Sequence, residues 1–522
     1  MLQLMAKSTQ HGMERVALSI PIRGNNQAKG EGRDRNPATE AQGAMLAAEV
    51  PDEWELPKLR ASFGFEDDHR LLDDDSRDPG GSPHIFAAVG KKHVVICRVT
   101  PTTDKETNPC EIIKVIRDDD HGVVNCSCTW TKDAVTEAPY LAISGRDRKV
   151  KIYNVVKGIL FKTLVGHGGE INDLATSPDN PLIIASASDD TTVRIWSLDP
   201  VHAKQPCVCI LGGEGHSWNL LSVVRCSKAF HQTGRYVLSA GHDTTVNLWT
   251  LPDLPKGHVD QPIVNYYPHF STSELHTGLV DCVAFYGDMI LSKACHEDTI
   301  VLWRVEGFSS HDPPPPASDA PTNHDPAKLT RSSFVPPSAS PHTCAAAYTR
   351  LLKFSIKGCG HQFFMRFSML QTRGMHPILA FCDTAAKIIA GAGTERELRR
   401  ETSRATSTPD AEASATAAAA APAPAVATPS EPADPLDAFG PKDARAEQWE
   451  SRYDVSDPQA VIRPHRIEQM SKSGFLGRQV AWSVDGAWCV VVGSGNLALI
   501  LQRWHGGEST PAPDRRGTPH AS

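Results

Sequence analysis

One pattern of apolar and polar positions returns along the chain. SASDDTTVRIW ends at Trp196 and SAGHDTTVNLW ends at Trp249, with AISGRDRKVKIY ending at Tyr153 and SKACHEDTIVLW ending at Trp303. Each copy starts with a short apolar run, such as Ile183–Ser188, which predicts a buried strand. A polar turn follows, Asp189-Asp190-Thr191 in the first copy. Val193 and Ile195 then alternate with Thr192 and Arg194, the period of two that a half-buried strand requires. A hairpin stamped out repeatedly cannot bury its apolar face alone, so the repeats are expected to pack against one another.

The polar positions of the repeat carry a network. Gly166-His167 precedes Trp196, and Gly215-His216 precedes Trp249. The turn carboxylates Asp190 and Asp243 are spaced to meet those histidines, with Ser186 and Ser239 between them and the indole N–H groups; Asp298 and Trp303 are expected to play the same parts in a third copy. Buried polar groups are tolerated only when satisfied, so these residues are read as structural. Ser, His and Asp also serve hydrolysis, but a catalytic triad does not recur in several repeats. The pattern is similar to WD-repeat blades of a β-propeller.

Repeat-like segments cover about 111–155, 160–198, 206–252, 275–306 and 350–390, and RQVAWSVDGAWCVVVGSGNLALILQRW forms a last one. With strand material from Leu59 to Arg98 this makes seven units. The expected fold is therefore all-β, a seven-bladed WD-repeat β-propeller, since closure removes exposed sheet edges. The expected organisation is a disordered arm over 1–50, blades 1–6 over 51–390 with a Pro-rich insertion at 308–345, a low-complexity insertion at 391–450, the last blade over 451–505 and a disordered tail over 506–522.

Composition narrows the function classes. The net charge of −8 argues against sequence-independent grip on a nucleic-acid backbone, and no sequence-specific DNA binding is expected. No apolar run reaches 18 residues and the start carries no apolar leader, so neither a membrane span nor secretion is expected. The 13 cysteines include no C-x-x-C pair, and most lie in apolar strands, which predicts reduced core thiols rather than a metal site. No phosphate loop, G-x-S-x-G or H-E-x-x-H is present, so neither enzyme nor cofactor is expected.

LVGHGGEIND, GGEGHSWNLLSV, HFSTSELHTGLVDCVAFYGDMILSK and FFMRFSM go beyond a generic repeat. They resemble the Polycomb-group family of extra sex combs and embryonic ectoderm development, over roughly 84–390 and 475–505. The resemblance implies a nuclear, non-catalytic subunit of Polycomb repressive complex 2. Its partners would be an enhancer-of-zeste-like histone methyltransferase, the other subunits of that complex, and the histone H3 tail, whose trimethyl-lysine an aromatic cage would read to promote silencing.

A quaternary ammonium donates no hydrogen bond and is held by ring faces. Phe363 and Phe364 match the family's adjacent cage aromatics; both can line one cage only if the backbone bends there. Arg366 and Arg478 match arginines near the channel mouth and are expected to hold peptide carbonyls or the geometry of the substrate tail. Asn172 and Asp281 match polar residues lining the channel. Asp281 sits between apolar residues and needs a partner, either a basic tail or the protein itself. Cys126 occupies a slot that is aromatic in the family, and Phe63 and Phe65 are the nearest rings to another. Each absent ring would forfeit about 0.5–2 kcal/mol of cation–π attraction. The alternative is a WD-repeat adaptor that has lost methyl-lysine reading.

Overall fold

A computed structural model describes the backbone of 15–19 and 60–63, then residues 84–502 apart from 101–107, 121–122, 223–229, 323–324, 326, 336–345, 357–362, 372–376, 383–386, 393–458, 465, 470–474 and 495–496. The repeat pattern folds as expected: Ile183–Ser188 is a fully buried strand, and Val193–Ser197 runs antiparallel to it with Arg194 only half-buried. The fold is all-β, a WD-repeat β-propeller, with only two 3-10 turns as helical elements among the described residues.

The strands form seven sheets of four or five strands. Neighbours in sequence meet through their inner strands: Asn125–Lys132 touches Ile171–Thr176, Tyr236–Gly241 touches Val280–Tyr286, and Ile378–Cys382 touches Gly477–Trp482. The last sheet in turn touches Arg60–Phe63 of the first. Between successive sheets lie the apolar cores, one of which runs from Ala175 through Trp249 and Trp303 to Phe381. The ten described cysteines are buried thiols, Cys97 and Cys489 among them; burial pushes Cys209 and Cys282 up to about 12.

Several outer strands come from distant parts of the chain. Arg15–Ser19 pairs with Leu497–Gln502, so the expected disordered arm contains a strand that completes the last sheet. Thr330–Ser332 lies in the Pro-rich insertion and is the outermost strand of the sheet built on Tyr236–Gly241 and Val246–Thr250. The His269 Nε2 beside the Pro316 carbonyl, at 3.1 Å, ties the same insertion down. Val461–Ile462 and Arg466–Gln469 pair with Tyr348–Ser355 and Lys387–Ala392, so these residues of 451–505 complete other sheets than the last one. A short strand gains its ladder bonds and covered edge from the sheet it joins, not from its own sequence. The 391–450 insertion beyond Ala392 and the 506–522 tail lie outside the described residues.

The buried networks explain why the same polar positions recur in the repeat. His167 Nδ1 meets Asp190 at 2.8 Å and its Nε2 meets Ser186 at 2.6 Å, while the Trp196 indole donates to the same hydroxyl at 2.7 Å. His216, Asp243, Ser239 and Trp249 repeat this with distances of 2.7–2.9 Å. Gly215 must be glycine, because a Cβ would lie 2.3 Å from the Trp249 ring. In the third copy His276 meets Glu297 at 2.7 Å, not the expected Asp298, whose carbonyl instead accepts from the Ile356 amide. The turn before Trp303 is one residue longer than its sisters. The acid keeps its place six residues before the tryptophan, as in Asp190 and Asp243, and Glu297 fills it.

Candidate functional site

Phe363 and Phe364 lie on the segment that enters Ser368–Leu370, the first strand of its sheet. Phe364 has a φ of 56°, the left-handed region that costs a non-glycine residue about 1–2 kcal/mol. This bend turns two consecutive rings to one side, which regular strand geometry forbids. Their centroids stand 4.1 Å apart at 67°, so the rings form two walls of a corner. Phe364 is 8% exposed and Phe363 half-buried. A corner of ring faces can hold a quaternary ammonium through the ring quadrupoles.

The charged residues behind the corner act on one another. Asp281, 0% exposed, accepts from Lys293 Nζ at 2.9 and 3.1 Å, and from the Met365 amide at 3.3 Å. Burial opposes the Lys293 charge, but Asp281 outweighs it and raises the ammonium above its ordinary range. Arg366 pairs with the buried Asp173 and donates to the Leu221 carbonyl at 2.7 Å. Burial likewise opposes its charge, and Asp173 more than compensates. Asn172 donates to Asp189 at 2.6 Å and to the Leu220 carbonyl at 2.8 Å. Arg478 Nη1 donates to the carbonyl of Phe363, and the Arg366 amide donates to the Arg478 carbonyl at 3.0 Å. Burial lowers the Arg478 pKa, with Asp281 partly offsetting it.

Of the two partners open to Asp281, the structure supplies the one within the protein, Lys293. Arg366, Asn172 and Asp281 are buried and each bonds to groups of the protein itself, so they frame the site from behind. Asp281 is neutralised by Lys293, so it presents no net charge to a basic tail. Arg478 holds the carbonyl of Phe363, within the protein. Cys126 is buried with its thiol 3.1 Å from the Ile171 carbonyl and adds no ring. The side chains of Phe63 and Phe65 lie outside the described residues. Sequence reasoning missed Asp173 and Lys293. Their signal was a charge in each of two apolar strands, INDLAT and MILSKA, since buried charges come paired. It also missed Trp218 and His242, which extend the row of rings from Phe363.

A profile described as WD domain, G-beta repeat matches 158–197 and 206–250. The Polycomb protein EED of Chaetomium thermophilum is 46% identical over 557 residues, covering 87% of this chain and 96% of that protein. The chain belongs to the EED family of Polycomb proteins. Among more distant members, the esc protein of Drosophila melanogaster is 29% identical over 42% of this chain and 52% of its own length. Two solved structures of family members superpose well. One is described as Chaetomium thermophilum Polycomb Repressive Complex 2 bound to GSK126, with a TM-score of 0.70, 47% identity, and coverage of 87% of this chain and 97% of the other. The second, described as ctPRC2 in complex with H3K27me3 and H3K27M, has a TM-score of 0.68 and 50% identity over 87% and 98%.

The networks that hold this family's repeats give the protein an acid limit. Burial lowers the pKa of His167, with Asp190 only partly opposing, and burial lowers that of His269. Both values lie below the unfolded reference of about 6.5, so their contribution is whole above that pH and is lost as pH falls. Burial opposes ionisation of Asp190, Asp243 and Glu297, but the histidine facing each outweighs it and lowers all three, Glu297 to about 2. Their contribution is lost only below about pH 4. Thermal melts should give a constant Tm from pH 7 to 8, a decline below about 6.5 and a second decline below about 4. A Tm unchanged down to pH 5 would contradict the buried neutral state of His167 and His269.

Proposed function

We propose that this protein is the non-catalytic scaffold subunit of a Polycomb-type histone H3 lysine methyltransferase complex, and that it reads trimethyl-lysine on the histone tail through Phe363 and Phe364. The carrying observation is the bent pair of rings, paid for by a left-handed Phe364 and fixed from behind by Arg478. Backbone strain held against its cost is a mark of function, and here it serves to aim a ring. The family relationship supports the complex: relatives at 47–50% identity stand in structures of Polycomb Repressive Complex 2, one of them with H3K27me3.

In this reading the seven sheets are seven blades of a closed ring; the sheet count and the contact of the last sheet with the first support closure. The Lys293–Asp281 and Arg366–Asp173 pairs lock the inner strands where the rings are mounted. The partners are an enhancer-of-zeste-like methyltransferase and the other subunits of the complex, the place of work is the nucleus, and DNA is not bound by sequence. Cys126, where the family has a ring, favours a second reading, an adaptor that no longer reads the mark.

Two measurements separate these. Calorimetric titration with a trimethyl-lysine H3 peptide should show saturable binding that the unmethylated peptide lacks. Co-purification with an enhancer-of-zeste-like subunit should succeed in either reading. Co-purification without peptide binding would leave the adaptor, and failure of both would remove the proposal.

A further inference from the structure

The row of rings continues past Phe363. His242 stands edge-on to Phe363 with centroids 5.5 Å apart at 67°, and Trp218 stacks on His242 at 5.8 Å and 30°. Trp218 is 60% exposed, whereas Trp130, Trp196, Trp249, Trp303 and Trp488 are all at 3% or less. An indole left in water on this scale stands out where five of the seven described tryptophans are almost fully buried and Trp482 is half-buried.

The backbone beneath it is fixed on both sides. The Ser217 amide donates to Asp243 at 2.9 Å, and the His242 amide donates to the Asn219 carbonyl at 2.9 Å. Gly241 permits this approach, since a Cβ there would lie 2.5 Å from the Asn219 oxygen. Trp218 thus stands on a short arch braced against the turn that carries His242. The result is a preformed aromatic platform beside the Phe363–Phe364 corner.

The geometry points to a second cation subsite: Trp218, backed by His242, takes the guanidinium of an arginine that flanks the methylated lysine in the same peptide. The inference rests on the methyl-lysine reading above and adds to it a determinant of peptide sequence. Indole is the strongest of the aromatic faces for a cation, and a planar guanidinium stacks on it as well as being attracted to its quadrupole. Trp218 is two ring contacts from Phe363, a distance that about three residues of extended peptide span at roughly 3.3–3.6 Å each. The arginine would therefore lie within three positions of the modified lysine.

The test uses the full-length chain and a set of trimethyl-lysine peptides. Each carries one arginine at a position within three residues of the modified lysine, and each has a twin with citrulline in its place, which keeps the shape and removes the charge. For one position in the set, wild-type protein should bind the arginine peptide about 2- to 30-fold more tightly than its twin. Trp218→Ala should erase that ratio while leaving the citrulline affinity unchanged, and Trp218→Phe should keep part of it. Thermal melts of both variants should match the wild type, because the side chain is exposed. Equal affinities for every pair on the wild type, or a ratio that survives Trp218→Ala, would overturn the subsite while leaving methyl-lysine reading intact. Absence of binding by all trimethyl-lysine peptides would overturn both.

Discussion

Replacing Phe363 and Phe364 together by leucine should weaken trimethyl-lysine peptide binding by roughly 5-fold to several hundred-fold. Two faces are lost at about 0.5–2 kcal/mol each, and each 1.4 kcal/mol is about tenfold in Kd. Leucine is chosen because Phe364 is nearly buried, and alanine there would open a void as well as remove a ring. Apolar volume is largely kept, so the melting temperature should change far less than the affinity. Calorimetry on the folded double variant checks this. An unchanged Kd would mean that the bent pair of rings is packing, and that the left-handed Phe364 serves the fold alone.

The second large effect lies behind the rings. Asp281→Ala leaves the Lys293 ammonium, 1% exposed, without its carboxylate. Breaking a buried ion pair from one side typically costs about 3–5 kcal/mol, because a lone charge remains desolvated. Urea denaturation should show the midpoint falling with an unchanged slope. The double variant Asp281→Ala with Lys293→Met removes both charges and keeps an unbranched apolar side chain. It should recover most of the loss, short of about 1 kcal/mol for the Met365 amide that Asp281 also satisfies. If Asp281→Ala were as stable as the wild type, Asp281 would be no structural counter-ion, and its role as a group offered to a basic peptide would return.

The repeating hairpins were legible because their alternation and turn residues agree with each other, as Ile183–Ser188 and Val193–Ser197 show. The networks around His167 and His216 followed from spacing alone. Glu297 was missed because Asp298-Thr299 copies the Asp-Thr pair of Asp190-Thr191 and Asp243-Thr244, while the tryptophan is what fixes the register of the acid. Arg15–Ser19, Thr330–Ser332 and Val461–Ile462 were illegible as sheet members, since each is two to five residues long and is selected by an open edge far away in sequence. At the site, two adjacent phenylalanines read as an inward and an outward residue of a strand; only the φ of Phe364 turns them together. Asp281 announced that it needed a partner, but the choice of Lys293 over a ligand depends on how strands meet within the sheet.

The central claim is that a methylated lysine is held here by its charge against ring faces. The direct measurement compares two H3 peptides on the wild-type protein, one with trimethyl-lysine and one with its neutral tert-butyl carbon isostere. Shape and apolar area are the same, so only the cation differs. Binding of the trimethyl-lysine peptide at least several-fold tighter than the isostere is the expected result. Equal affinities, or binding of neither, would contradict it.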